Sequence, residues 1–294
     1  MMHDKANDHE SRLSVRTTLE DHPVHNVPPV GDPYIFGRWH KHRVSAKGYV
    51  KEALAMARSR LADDAPPAKL LVFARPRSGT TLLGQLMGQV PDIQDDRECL
   101  HHAVLDPVKF LQNRARCCKA KGYVCKFLSY QMFEVQRIQD PLAFFENLHD
   151  VDFHLLHLRR RTYDQALSLS TAQVTSQYFL KPGESHEKRR NIRIEPERFL
   201  AQVLWNLEML SYEDQLLSNF PHHVVQYEQD LLNPVAQQKT IDTICADLGI
   251  LCSTVKATLE RTGGTNGKFR VINEDELKLT LRKNDLGHVL EERM

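Results

Sequence analysis

The 294-residue chain has no apolar run near the roughly 20 residues that a membrane-spanning helix requires. Its first residues, MMHDKANDHESR, are too polar for a secretory signal. A surplus of either charge is missing too. Lys and Arg number 39 against 38 Asp and Glu, a net charge of +1, so the basic bias of a non-specific nucleic-acid binder is absent. Cysteine is sparse: Cys99, Cys117, Cys118, Cys125, Cys245 and Cys252 form no Cys-x-x-Cys pair at zinc spacing, and the chain is too long for a disulfide scaffold. The adjacent pairs His101-His102 and His222-His223 suit neither a helical nor a strand metal face. These absences predict a cytoplasmic protein with reduced thiols, no metal, no transmembrane segment and no nucleic-acid partner.

What is present is enough apolar residue, 41%, for a sizeable core, and one stretch that organises it. Lys69 to Val90 reads KLLVFARPRSGTTLLGQLMGQV. Lys69 to Ala74 is the short apolar run of a strand buried on both faces of a parallel sheet. Arg75 to Ser78 interrupts it, and Gly79 supplies the backbone freedom of a tight turn. From Thr80 onward, Leu82, Leu83, Leu86, Met87 and Val90 recur at helical spacing. A strand, a polar turn and a helix start aim several backbone N–H groups at one spot, where the helix dipole also favours an anion. Arg77 is a charged donor to the same anion. A Walker A loop would read G-x-x-x-x-G-K-[ST]; here Ala74 takes the place of the first glycine and Thr80 that of the lysine.

The remaining chain fits one α/β domain over 67–294, preceded by an arm and helix over 1–66. Met1 to Val44 is polar and proline-bearing, with a small cluster of Tyr34, Ile35, Phe36 and Trp39. Val50, Leu54, Ala57 and Leu61 predict an amphipathic helix ending near Asp63, whose exposed face leaves a homo-oligomer open. Pro91 to Gln94, Tyr123 to Leu128, Phe153 to Leu158 and His223 to Tyr227 are further strand candidates. Helices are expected over Phe110–Lys119, Pro141–Leu148, Tyr163–Tyr178, a long stretch from Phe199, and Pro234–Leu248. The polar segment Asp95 to His102 falls where the chain emerges above the sheet, the usual place for chemistry in open α/β folds. Three arginines, 159 to 161, end the Phe153 strand, which is costly unless an anion or solvent meets them. Ser168 follows Arg160 by eight residues, on the second turn of the next helix and facing the strand end. Lys181 to Pro196 has no apolar period and reads as a loop.

The string Pro76-Arg77-Ser78-Gly79-Thr80-Thr81 closely resembles the 5′-phosphosulfate loop of sulfotransferases, P-[KR]-[ST]-G-[ST]-[ST]. Arg160 with Ser168 resembles that superfamily's 3′-phosphate motif, and Tyr227 to Pro234 is similar to its Y-E-x-x-L-x-x-P stretch. The glycine-rich tail from Arg261 to Phe269 is a weaker match to a C-terminal R-K-G-x-x-G segment, with Thr262 in place of the lysine. The resemblance spans about 69–249, and the chain looks most like bacterial enzymes that sulfate glycans and glycolipids.

The resemblance implies a P-loop-type α/β fold, a mostly parallel sheet flanked by helices. It implies 3′-phosphoadenosine-5′-phosphosulfate as donor, without a metal, and a small-molecule, glycan or glycolipid hydroxyl as acceptor. Donor-binding residues are then Arg75, Arg77, Ser78, Gly79, Thr80, Thr81, Arg160 and Ser168. Bacterial relatives often carry a glutamate base after the second strand, and Glu98 matches it; eukaryotic relatives use a histidine, which makes His101 and His102 rivals. Lys126 either faces the transferred sulfonate or is a snorkelling structural lysine. A P-loop kinase or ATPase, and a non-catalytic nucleotide-binding protein, are the alternative readings.

Overall fold

A computed structural model describes residues 46–62, 67–178, 190–258 and 269–292. Five parallel strands form the central sheet: β1 (Ala68–Ala74), β2 (Ile93–Asp95), β3 (Gly122–Leu128), β4 (Phe153–Arg159) and β6 (His222–Gln226), in the order β2-β3-β1-β4-β6. The apolar runs produce this arrangement, since a parallel strand in mid-sheet is covered on both faces. All seven residues of β3 are buried. Phe73 meets Phe145 edge-on at 5.1 Å and Phe127 at 6.0 Å, joining the sheet to a covering helix.

Among the described residues the α-helices are α1 (Ala46–Ser59), α2 (Thr80–Met87), α3 (Pro107–Arg116), α4 (Pro141–Asp150), α5 (Thr162–Thr175), α6 (Pro196–Leu217), α7 (Tyr227–Asp230), α8 (Pro234–Asp247) and α9 (Glu274–Lys283). Three of them start on an Asx-Pro pair. Asp106, Asp140 and Asn233 accept from the backbone N–H of Lys109, Ala143 and Ala236 at 2.9, 2.9 and 2.8 Å, with proline at the first helical position. A smaller core of Tyr163, Ile194, Phe199, Val203, Leu277 and Leu281 joins α5, α6 and α9.

In the order β2-β3-β1-β4-β6 the chain leaves β1 for β2 on one side and, after β3, crosses to β4 on the other, so the winding reverses beside β1. Loops at the carboxyl ends of these strands therefore open into one crevice. Some boundaries differ from the sequence expectation. The second strand is Ile93–Asp95 rather than 91–94, and α1 ends at Ser59 rather than near Asp63. The segment read as a loop through Pro196 contains β5 (Arg190–Ile192), which pairs with β7 (Phe269–Val271). That pairing partner is some 80 residues away, so no local periodicity announces it. The expected arm over 1–44 with its aromatic cluster, the polar stretch 179–189 and most of the glycine-rich tail lie outside the described residues. Among the described residues, no helix is long and apolar enough to cross a membrane.

Candidate functional site

The turn after β1 has the backbone of an anion cradle. Arg77 takes φ 68° and Gly79 φ 102°, two left-handed residues within three positions. Gly79 stands at the N-cap of α2 without a side-chain cap, and the first helical bond runs from Leu83 N to Gly79 O at 3.0 Å. The N–H groups of the first turn therefore converge on the mouth of the loop. A methyl group at Gly79 would lie 2.4 Å from the Tyr227 ring, so glycine serves both the backbone turn and the close approach. Gln165 of α5 fixes the loop from beneath, donating to Pro76 O at 2.7 Å and Ser78 Oγ at 3.3 Å.

The second motif meets the first here. Arg77 Nε donates to Ser168 Oγ at 3.1 Å, and the same guanidinium donates to Tyr178 O. Arg160 Nη1 donates to Arg77 O at 2.9 Å while its guanidinium lies 4.5 Å from the centre of the Tyr227 ring. Glu228 lies 3.8 Å from Arg160 Nε and accepts from Arg161 N at 3.3 Å. Burial, followed by the nearby Arg160 charge, lowers the Arg77 pKa to about 10. Two cations held this close favour an anion between them.

A second group stands beside α2. Lys126 Nζ is 3.3 Å from Asp95 Oδ2, and both press on the helix where it carries Gly84; a methyl group there would fall 2.3 Å from Lys126 Nζ. Glu98 follows β2, and its Oε2 accepts from Gln131 Nε2 at 3.2 Å. Burial raises the Glu98 pKa, against the opposing Lys126 charge and the Gln131 bond. Gln131 opens a π-type turn closed by Gln136 N to Gln131 O at 2.8 Å, an irregularity that recurs at functional sites. Gln136 in turn donates to Leu100 O at 2.7 Å and His102 O at 2.8 Å, so two glutamines fix the segment that carries Glu98, His101 and His102. The His102 pKa is lowered by burial and then by Lys51 and Lys47 of α1, which lie beside it.

The turn, Arg160 and Ser168 thus meet, with Thr80 buried and Thr81 exposed at the helix start. Arg75 does not line the cradle. Its side chain is 1% exposed and turns inward, donating to Asn206 O at 2.8 Å with Nε 3.4 Å from Glu213 Oε2. Sequence reasoning passed over Gln165 and Gln131; it met Tyr227 and Glu228 only as part of the Y-E-x-x-L-x-x-P stretch and Asp95 only as part of the polar segment after β2. Gln165 was accessible in principle: it precedes Ser168 by three residues and so shares its helix face. Tyr227 directly follows the β6 strand, and the strand-end rule points to it. Among the described residues, no group of three or more His, Cys, Asp or Glu is arranged to hold a metal ion.

No protein-family model matches the chain, and no curated protein matches it. Among solved structures it is similar to the crystal structure of mouse sulfotransferase SULT7A1 complexed with PAP, at 14% identity and a TM-score of 0.34. That match covers 69% of this chain and 65% of the mouse chain, so it spans less than two thirds of the latter.

Proposed function

We propose that the chain is a sulfotransferase, moving a sulfonate group from 3′-phosphoadenosine-5′-phosphosulfate to a hydroxyl of a small-molecule, glycan or glycolipid acceptor. One observation carries this reading: Arg77 of the turn after β1 is bonded to Ser168 at 3.1 Å, and its carbonyl accepts from Arg160 at 2.9 Å. A 5′-phosphate cradle and a 3′-phosphate pair are then two walls of one site. The lysine of a nucleoside triphosphatase loop has no counterpart at Thr80.

In this mechanism the donor supplies an activated sulfonate. The acceptor oxygen forms a bond to sulfur as the bond from sulfur to the bridging oxygen breaks, and that oxygen leaves on the 5′-phosphate with the electron pair. Arg77 and the N–H groups of 78–81 stabilise the charge gained there; a donor set fixed in advance does so without reorganising. Glu98 takes the acceptor proton, and its raised pKa makes it a stronger base than a solvated carboxylate. Lys126, paired with Asp95 beside Gly84 of α2, offers a cation for the transferring sulfonate. Arg160 and Ser168 hold the 3′-phosphate.

Thermal melting in the absence of metal tests the reading. At about 100 times its dissociation constant, 3′,5′-adenosine bisphosphate should add about 2.7 kcal/mol of apparent stability. Arg160→Ala should abolish that gain, and ADP should give little. Equal or greater stabilisation by ADP with Mg²⁺ would replace this reading with a kinase-like one.

A further inference from the structure

β1 and β4 run in register to the pair Ala74 and Leu158, and each then ends in arginine-bearing turns. Past that pair the two turns hold each other. Arg75 Nη2 donates to Arg160 O at 3.4 Å, and Arg160 Nη1 donates to Arg77 O at 2.9 Å. These bonds and the Arg75–Arg77 backbone close a ring: the inner arginine fixes the main chain of the outer one, and the outer one fixes the loop. The inner arginine is anchored on the side away from the loop. Its Nη1 reaches Asn206 O of α6 at 2.8 Å, and its Nε lies 3.4 Å from Glu213 Oε2. Glu213 is fully buried and also pairs with His157 Nε2 at 3.1 Å.

We infer that Arg75 is a positioning residue that couples the 5′-phosphate loop to Arg160, so that selectivity for a 3′-phosphorylated nucleotide depends on this buried ring as well as on Arg160 itself. The inference rests on the donor reading above. A buried arginine whose guanidinium spans two main-chain carbonyls on different elements does geometric work that an apolar residue of equal volume cannot do. The carbonyl of Arg160 is the point at which β4 gives way to α5. Fixing it sets the direction in which the Arg160 side chain leaves the backbone.

The test is the ratio of dissociation constants for adenosine 5′-monophosphate and 3′,5′-adenosine bisphosphate, measured by calorimetry on the full chain. Wild type should prefer the bisphosphate. Arg75→Lys keeps a cation facing Glu213, but a single ammonium cannot span Asn206 O and Arg160 O. Its ratio should fall at least roughly tenfold, about 1.4 kcal/mol of lost coupling. A purely structural role would lower the melting temperature and leave the ratio of the folded protein at the wild-type value. Arg75→Met paired with Glu213→Gln avoids leaving a buried charge unpaired, and it carries the test if the lysine variant does not fold. Folded variants with the wild-type ratio overturn the inference while the donor reading stands. A wild type without bisphosphate preference overturns both.

Discussion

Arg77 and Ser168, 91 positions apart in the chain, are joined by one hydrogen bond of 3.1 Å between a guanidinium and a hydroxyl. The bond ties the turn after β1 to the second turn of α5. It makes Ser168 a partner of the loop as well as a candidate ligand for the 3′-phosphate.

Ser168→Ala should therefore weaken 3′,5′-adenosine bisphosphate binding roughly tenfold or more, because a hydrogen bond to a charged group is worth about 1.5–3 kcal/mol. Adenosine 5′-monophosphate should lose much less. Calorimetry with both nucleotides checks this; an equal loss for the two would place the serine's role in supporting Arg77 alone.

Glu98→Gln keeps the shape of the side chain and the neighbouring Gln131 while removing the base. Turnover with any accepted hydroxyl should fall about 10²- to 10⁴-fold. The pH profile has a definite sign. Burial raises the Glu98 pKa, so the folded protein holds that proton to higher pH than the unfolded chain does. The stability this contributes is complete below the ordinary carboxylate pKa and is lost as pH rises through the raised value. In wild type, kcat/KM should fall as pH drops through the raised pKa, and the glutamine variant should lack that limb. The variant should also melt no lower than wild type at neutral pH, since the cost of an ionised buried carboxylate is gone. A variant that keeps full turnover would transfer the base role to His101 or His102.

Gly79→Ala combines two penalties: a φ of 102° and a methyl 2.4 Å from the Tyr227 ring. Strain alone should cost about 1 kcal/mol or more, and the displaced ring should also release Arg160 from its stacked position. Both melting temperature and bisphosphate affinity should drop. Gly249→Ala is the control, with φ 65° but nothing within 4 Å of the new methyl. It should lower stability and leave affinity unchanged, and a Gly79→Ala protein with unchanged affinity would show that Tyr227 does not position Arg160.

The sequence by itself determined the parallel sheet, because β1, β3 and β4 are apolar runs too short for helices, bounded by turn residues. It also determined the tight turn into α2, because Pro76 to Thr81 carries its own backbone geometry: a glycine that accepts positive φ, followed at once by a helix start. Such features rest on interactions within a few residues, which a linear string records. Only the tertiary structure decided where Arg75 points. A strand-end arginine next to a phosphate loop suggests a ligand, yet Asn206 O and Glu213, more than 130 residues downstream in α6, draw it into the interior. The same holds for Tyr227 against Gly79, for Asp95 beside Lys126, and for the β5–β7 pair. Each contact joins segments distant in sequence, and burial sets its strength through desolvation and packing, quantities that exist only after the chain has closed on itself.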